Sequence, residues 1–228
     1  MESAAQRFYE RNHQLSAVED DVGIDEVNPG HRYHAAARIL RQHQPRKVLE
    51  MGYGSAKLVR AIAPLTKGEY HIADIVARAD AVTLPPNVRM HVANLDDRFP
   101  FHDGEFDCLI AMMVVEHLYD PFHSFAEIMR VTVPGAKVVM NLPNIASLRC
   151  RLQLLRGTLP ITSSYDWFQK RQWDGNHLHY FVVDDVRRLA EANGMRMREL
   201  VPVGNKLGLK RLAPSLLCHE ITYVFDRL

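Results

Sequence analysis

The sequence predicts a doubly wound α/β fold with a mostly parallel, seven-stranded sheet, helices on both faces and an antiparallel hairpin at the C-terminal end. Short apolar runs alternate with helical patterns along the chain, an order typical of parallel strands joined by crossover helices. A glycine turn follows the first run, and no crossover helix separates the last two strand patterns. The 228 residues, 47% of them hydrophobic, suffice for one sizeable core. We therefore expect a single domain over residues 1–228.

Apolar periodicity places the individual elements. Helical spacing predicts helices over residues 34–40, 57–64, 77–82, 121–131 and 183–193, the last of which ends at Gly194. Short apolar runs predict five parallel strands at residues 47–51, 71–75, 88–93, 106–112 and 136–141. Two further strands, at residues 196–203 and 219–225, have only an irregular connection between them, so we expect them to pair in antiparallel fashion.

Two segments outside the alternating pattern are expected to cover the site. Residues 1–40 form a polar N-terminal stretch followed by helical spacing, and we interpret them as a cap. Residues 145–180 are irregular and aromatic, and such a loop after the fifth strand is a candidate substrate lid. Arginines alternate with leucines near its start, between Leu148 and Leu159. That pattern favours a solvated helix with one apolar stripe over contact with a membrane surface.

Composition excludes several classes of protein. The formal net charge is +1 and the charges are mixed along the chain, so we expect no nucleic-acid partner. No apolar run approaches the ~20 residues that cross a bilayer, and we expect no integral membrane segment. The three cysteines are widely spaced and form no Cys-x-x-Cys pair, which favours a reducing cytoplasm. We predict a cytoplasmic protein that acts on a small molecule, with its oligomeric state left open.

The glycine turn has the sequence Gly52-Tyr53-Gly54-Ser55. Glycine lacks a Cβ, so a ligand can approach the backbone of such a turn closely. The dinucleotide fingerprint needs a third glycine at position 57, where this chain has Lys57. Glu50, just before the turn, would repel a pyrophosphate. The turn therefore favours a cationic ligand without phosphate over a nicotinamide cofactor, and a purely structural turn is the alternative interpretation.

Polar residues at the ends of the next two strands extend this site. Asp74 ends the second strand ~20 residues after the glycines, a spacing from which an acid accepts hydrogen bonds from ribose hydroxyls. A helix N-cap is the alternative role for Asp74. Asn94-Leu95-Asp96 closes the third strand. A side-chain oxygen of either Asn94 or Asp96 can accept a hydrogen bond from an adenine amino group.

Further motifs join these residues into a family pattern. The set comprises Val48-Leu49-Glu50-x-Gly52-x-Gly54-Ser55, Asp74, Phe99-Pro100-Phe101-x-Asp103-Gly104-x-Phe106-Asp107 and Glu116-His117-Leu118-x-Asp120-Pro121. This set resembles class I S-adenosylmethionine (SAM)-dependent methyltransferases of the small-molecule type, which have a Rossmann-like fold. Residues 141–144, 151–157 and 177–181 resemble bacterial methyltransferases found with surface-polysaccharide genes and MetW-like proteins of methionine biosynthesis. The resemblance covers roughly residues 30–228.

The resemblance implies SAM as the cofactor and S-adenosyl-L-homocysteine (SAH) as the product. Within this pattern the glycine turn lines the methionine part of SAM, Asp74 and Ile75 hold the ribose, and Asn94 and Leu95 flank the adenine. The implied cofactor-binding residues are Glu50, Gly52, Tyr53, Gly54, Ser55, Asp74, Ile75, Asn94, Leu95, Asp96, Met112, Met113 and His117. Two departures are Ala56, where the family often has a third glycine, and Asn94, where an aspartate is common.

The function implied by the resemblance is methyl transfer to a small-molecule acceptor. A hydroxyl of a sugar or a related metabolite is the first expectation, followed by a lipid, a quinone or a secondary metabolite. Methyl transfer from a sulfonium mainly requires that the protein position the acceptor and exclude water. The alternative function is that of a non-catalytic, MetW-like protein that keeps the fold and acts as a partner or activator of another enzyme.

Three histidines are candidates for a general base if the acceptor is a hydroxyl: His117, His177 and His179. In an extended segment, His177 and His179 would point to the same side. Two histidines are too few for a metal site, and no carboxylate or cysteine stands at an obvious supporting spacing, so we predict no metal. An equal alternative to catalysis is that His179 caps or hydrogen-bonds the sheet edge while His177 is exposed to solvent.

Overall fold

The computed structural model describes residues 27–52, 56–76, 84–163, 168–169, 171 and 173–228. Several predictions fall outside these residues. They concern Tyr53, Gly54 and Ser55 of the glycine turn, the helix at residues 77–82, residues 1–26 of the expected N-terminal cap, and residues 164–167, 170 and 172 of the candidate lid.

The described residues form one seven-stranded sheet in the order β3-β2-β1-β4-β5-β7-β6. Strands β1 to β5 run parallel, and β7 inserts antiparallel between β5 and β6. The strands are β1 Lys47–Met51, β2 Glu69–Asp74, β3 Val88–Val92, β4 Phe106–Met112, β5 Thr132–Pro143, β6 Met195–Pro202 and β7 Glu220–Arg227. The predicted fold class, with its antiparallel C-terminal pair, is confirmed.

Helices connect these strands and cover both faces of the sheet. They are α1 His34–His43, α2 Ala56–Ile62, α3 Pro121–Val131, α4 Leu148–Leu155, α5 Val183–Ala192 and the one-turn helices α6 Leu207–Lys210 and α7 Pro214–Leu217. Short 3₁₀ turns lie at Ala63–Leu65, Val115–His117 and Trp173–Asn176. Among the described residues, no helix combines the length and the apolarity that a membrane span requires.

Strand β5 departs most from its predicted bounds. It begins at Thr132 rather than at residue 136, because Thr132 already pairs with Phe106 of β4 before the regular pairing resumes at Lys137. Phe106 pairs with Thr132 and Cys108 with Lys137, so the β5 side carries three extra residues between these two pairs. Gly135, with φ of 83°, allows the resulting bulge. The Pro-Gly pair predicted as a turn is therefore an irregularity inside the strand.

The core lies on both faces of the sheet, because successive strand residues point to opposite sides. In β1, Val48 belongs to the core beneath α1 and α2, whereas Leu49 belongs to the core beneath α3 and α5. The carboxyl ends of β1, β2, β3 and β4 meet at one edge of the sheet. Ligands of open α/β sheets bind at this edge, and the predicted cofactor residues of the described chain lie there.

Candidate active site

Gly52, directly after β1, has a conformation that suits glycine alone. Its φ is 77°, and a Cβ at this position would lie 2.6 Å from Cγ2 of Val114. Its amide donates a hydrogen bond to the carbonyl of Ala73 at the end of β2 (2.8 Å). The start of the glycine turn is thus fixed between two strand ends and packs closely against the loop after β4.

Glu50 is a buried carboxyl with two hydroxyl donors. It is 1% exposed, and its two oxygens accept hydrogen bonds from Tyr33 and Tyr70, each at 2.7 Å. Burial raises its pKa to about 7, against the lowering effect of these two hydrogen bonds. The carboxyl therefore changes charge near neutral pH. The sequence reasoning missed both tyrosines, which come from the start of α1 and from β2.

Asp74 ends β2 at the same edge. It is 4% exposed, and its Oδ1 accepts a hydrogen bond from the amide of Val76 at 3.0 Å. Short-range bonding of this kind fixes the carboxylate relative to the strand end. Ile75 follows and is partly buried. The structure thus places the predicted ribose-binding acid one strand away from the glycine turn.

Asn94 and Asp96, the predicted adenine contacts, have their side chains engaged within the protein. Asn94 donates to Asp97 (3.0 Å) and accepts from the amide of Asp96 (3.2 Å). Oδ1 of Asp96 accepts from the amide of Tyr119 at 2.6 Å. Leu95 between them is 5% exposed and packs in the core. These bonds join the end of β3 to the loop that leads into α3.

Met112 and Met113 redirect the chain at the end of β4. Met112 is 8% exposed. Met113 has φ of 58°, a left-handed conformation that is uncommon for a residue other than glycine, and its amide donates to the carbonyl of Asn141 (3.0 Å). This local constraint turns the backbone into the 3₁₀ turn Val115–His117, which carries the next functional groups.

Glu116, His117 and His177 form a compact cluster beyond β4. One potential ligand atom of each lies within 4.8 Å of those of the other two, and the two imidazole centroids are 4.8 Å apart. The amides of Leu178 and His179 both donate to the carbonyl of Glu116 (2.8 and 3.1 Å). These backbone bonds hold the segment after the 3₁₀ turn Trp173–Asn176 against the one after β4.

The three predicted histidines are not equivalent in the structure. His117 and His177 face each other, whereas Nε2 of His179 lies 3.1 Å from the carbonyl of Tyr119. His177 and His179 therefore contact two residues, His117 and Tyr119, of the same segment after β4. Burial, followed by the nearby His117, lowers the pKa of His177 to about 4, so its imidazole is neutral at neutral pH.

A hydrogen-bonded chain supports His177. Its Nδ1 lies 2.7 Å from Oγ1 of Thr162, which in turn donates to Asp174 at 2.7 Å. Asp174 is 1% exposed and also accepts from the amide and hydroxyl of Ser163 (2.9 and 2.8 Å). The sequence reasoning missed Glu116, Thr162 and Asp174. Glu116 is adjacent to His117 in the family motif, but nothing in the spacing marks Thr162 or Asp174.

Comparisons with known proteins agree with this geometry. Residues 49–140 match a family model described as a methyltransferase domain. A protein named methyltransferase str2 from Strobilurus tenacellus is 33% identical over 102 residues, which are 43% of this chain and 36% of that protein. The chain thus matches little more than a third of this relative's length.

Solved structures of methyltransferases share the fold. A SAM-dependent methyltransferase from Mesorhizobium loti superposes with a TM-score of 0.63 at 13% identity, covering 90% of this chain and all of that one. Residues 49–140 thus carry a methyltransferase domain, and the described residues have the fold of SAM-dependent methyltransferases. A 1,6-didemethyltoxoflavin-N1-methyltransferase from Burkholderia thailandensis, solved with its acceptor and SAH, gives a TM-score of 0.60 at 16% identity over 99% of this chain and 91% of its own.

SAM, the cofactor of such domains, fits the described residues. At Gly52 any Cβ would clash with Val114, so the first position of the turn requires glycine. Asp74 presents a carboxylate at the strand edge, which suits a ligand that carries a ribose and no phosphate. Both oxygens of Glu50 are engaged within the protein by Tyr33 and Tyr70. We call β1 to β3, with the predicted cofactor residues Gly52 and Asp74, the cofactor half, and the region around Glu116, His117 and His177 the second half.

Proposed function

We propose that this protein transfers a methyl group from SAM to a hydroxyl of a small-molecule acceptor, a sugar or a related metabolite. The observation that carries the proposal is the pair of histidines, His117 and His177, beside the edge where the cofactor residues Gly52 and Asp74 lie. A hydroxyl acceptor must lose its proton during transfer, and a neutral imidazole can take it. The sulfonium of bound SAM supplies an activated methyl group, so the chain has to orient the acceptor and remove that proton.

Hydrogen bonds define which imidazole atom accepts the proton. The carbonyl of Asn176 can only accept, so Nδ1 of His117, 3.2 Å away, carries the hydrogen and leaves the lone pair on Nε2. His117 is partly exposed, whereas His177 is 7% exposed and has its pKa lowered to about 4 by burial. We therefore assign the role of base to Nε2 of His117. His177 positions the ring of His117, and His179 fixes the adjoining loop through Tyr119.

Residues 145–180 act in this proposal as the lid of the acceptor pocket. Helix α4 lies in this segment and exposes Leu154 and Leu155, which are 60% and 82% exposed, and Leu159 follows at 50%. A contiguous group of exposed apolar side chains is unfavourable in water and typically marks a surface that another segment or molecule covers. Closure over an acceptor would exclude water from the methyl-transfer step.

The same exposed leucines favour the second candidate, a non-catalytic protein that keeps the SAM fold and binds another enzyme. Such a partner would cover α4 permanently instead of during turnover. A shared cofactor site does not separate the two functions, but SAH formation does. The cytoplasmic location of the protein likewise stays a prediction.

Two measurements test the proposal. Isothermal titration of the purified chain with SAM and with SAH should give one site with micromolar-range affinity. SAH formation should then rise above the background without acceptor when sugars, sugar nucleotides and phenolic metabolites are supplied. Failure to bind either SAM or SAH would contradict the proposed enzyme. Binding without turnover across the panel, together with loss of partner-enzyme activity when this chain is removed, would favour the non-catalytic candidate.

A further inference from the structure

Glu116, His117 and His177 have the residue types and spacing of a metal site. We propose that these three side chains bind one divalent cation, such as Zn²⁺ or Co²⁺, with one carboxylate oxygen and two imidazole nitrogens as ligands. Their potential ligand atoms lie within 4.8 Å of one another. A central ion would be within about 2.8 Å of all three, so side-chain movements under about 1 Å give the ~2.0–2.2 Å bonds of zinc sites.

The carboxylate of Glu116 supplies an independent reason to expect a cation. The residue is 0% exposed, and neither oxygen accepts a hydrogen bond from another residue in the described part of the chain. A buried carboxyl without partners is costly, and native proteins rarely leave one unsatisfied. Burial raises the pKa of Glu116, against the lowering effect of the positive charge of Arg32, but the guanidinium of Arg32 is paired with Glu220 at 3.3 Å. A bound cation would neutralise this carboxylate and give it a partner that the described residues do not supply.

The hydrogen bonds of the two histidines direct the Nε2 lone pairs toward a ligand role. The hydroxyl of Thr162 donates its single hydrogen to Asp174, so Nδ1 of His177 must be the donor to Thr162. The carbonyl of Asn176 imposes the same tautomer on His117. Metal-binding histidines typically donate their second nitrogen to an oxygen in this way, which fixes the ring and increases its basicity.

The backbone brings the ligands together before any ion binds. His177 lies 61 positions after Glu116, and the amides of Leu178 and His179 anchor this segment to the Glu116 carbonyl. Three protein ligands leave at least one coordination position for water or for an oxygen of another molecule, as in catalytic zinc sites. Of the three ligands, only His117 is partly exposed. The open coordination position therefore lies on the side of the ion next to His117. The site also has the two-histidine, one-carboxylate composition that suits Fe²⁺ and Mn²⁺.

The test is a titration of the full, untagged chain with Co²⁺, followed by visible absorption and competed with Zn²⁺. The expected result is one Co²⁺ per chain with d–d bands of a four- or five-coordinate ion. Glu116→Gln and His177→Ala should weaken binding more than 100-fold, and Thr162→Val by the roughly 10–100-fold typical of a supporting hydrogen bond. His43→Ala, which removes an exposed imidazole at the end of α1, should leave it unchanged.

Circular dichroism and SAH titration verify that each variant is folded. Absence of a saturable Co²⁺ signal in the wild-type chain would overturn the proposal, and so would equal effects of His43→Ala and His177→Ala. The metal titration needs neither SAM nor an acceptor, so the inference does not rest on the proposed methyl transfer. A bound ion occupies the Nε2 lone pair of His117, so the ion-bound chain cannot use that atom as the base, and saturating Zn²⁺ is expected to suppress methyl transfer to a hydroxyl. A chain that binds SAH but no Co²⁺ would refute the metal site alone.

Discussion

Two buried glutamates in this protein have similar burial and different surroundings. Glu50, in the cofactor half, is 1% exposed and accepts a hydroxyl on each oxygen, from Tyr33 and Tyr70. Glu116, in the second half, is 0% exposed and accepts from no other described residue. Burial raises the pKa of Glu50 to about 7 and that of Glu116 to about 8. The hydroxyls of Tyr33 and Tyr70 satisfy the first carboxyl, whereas no other residue in the described part of the chain donates to the second.

The two halves approach each other closely at Gly52 and Val114. Gly52 begins the predicted cofactor turn, Val114 belongs to the loop that leads to Glu116, and a Cβ at position 52 would lie 2.6 Å from Cγ2 of Val114. We expect a change in the loop after β4 to reach the turn through this contact. The comparison predicts that each half can be damaged separately, except at this contact.

The largest expected effect is on turnover, through His117. His117→Ala removes the proposed proton acceptor and should lower kcat for a hydroxyl acceptor by roughly 10²–10⁴-fold. SAH affinity should fall far less, because Gly52 and Asp74 are unchanged. Steady-state SAH formation and SAH titration measure the two effects. His43→Ala is the control with unchanged kcat, and an equal loss of kcat in both variants would contradict the role of His117.

Gly52→Ala tests the contact between the halves. A non-glycine residue at φ of 77° costs about 1–2 kcal/mol, and crowding against Val114 adds about 1–3 kcal/mol. The free energy of unfolding in urea should therefore fall by roughly 3.5 kcal/mol. Adding Val114→Ala to Gly52→Ala should recover the part of the unfolding free energy that crowding removes. If the free-energy changes of the two single variants simply add in the double variant, the contact does not contribute.

Glu50 should make stability depend on pH. Because its folded-state pKa of about 7 lies above the ordinary 4.5, its protonated form stabilises the fold below pH 4.5, and this contribution is lost as pH rises to 7. Relative to Glu50→Gln, the wild-type chain should lose about 3 kcal/mol of unfolding free energy across that interval. Urea unfolding at pH 4.5, 6 and 8 measures the difference, and a constant difference would contradict it.

Asp74→Ala should have the smallest effect on the free energy. Loss of charge-assisted hydrogen bonds to the ribose should weaken SAH binding by about 2–3 kcal/mol, or roughly 50-fold. Stability should fall by about 1–2 kcal/mol, because the amide of Val76 loses its acceptor. Asp184→Ala, which removes an exposed acid at the start of α5, is the matched control in the same titration. Unchanged SAH affinity in Asp74→Ala would place the ribose elsewhere.

Local patterns sufficed for much of the fold. β1, β4 and α3 have the bounds predicted from periodicity, since each strand is a short apolar run and the helix has a regular apolar face. The start of α3 is also marked by Asp120, which accepts hydrogen bonds from the amides of Phe122 and His123. The early start of β5 escaped prediction because a Pro-Gly pair in a bulge looks like a turn in the sequence.

The candidate site was only partly predictable for a related reason. Glu50 and Asp74 stand at strand ends, where spacing alone marks them. The hydroxyl partners of Glu50 come from other elements, and no sequence period relates them. Glu116 and His177 are brought together by tertiary hydrogen bonds across 61 positions, so the expectation that no carboxylate supports the histidines did not hold in the structure.

A crystal structure of the chain with SAH and Co²⁺, with anomalous data at the cobalt edge, tests the division into two halves most directly. We expect SAH to lie against Gly52, with its ribose hydroxyls hydrogen-bonded to Asp74. We also expect one anomalous peak among Glu116, His117 and His177. SAH bound away from Asp74, or SAH that takes the place of the ion beside Glu116 with no anomalous peak there, would contradict it.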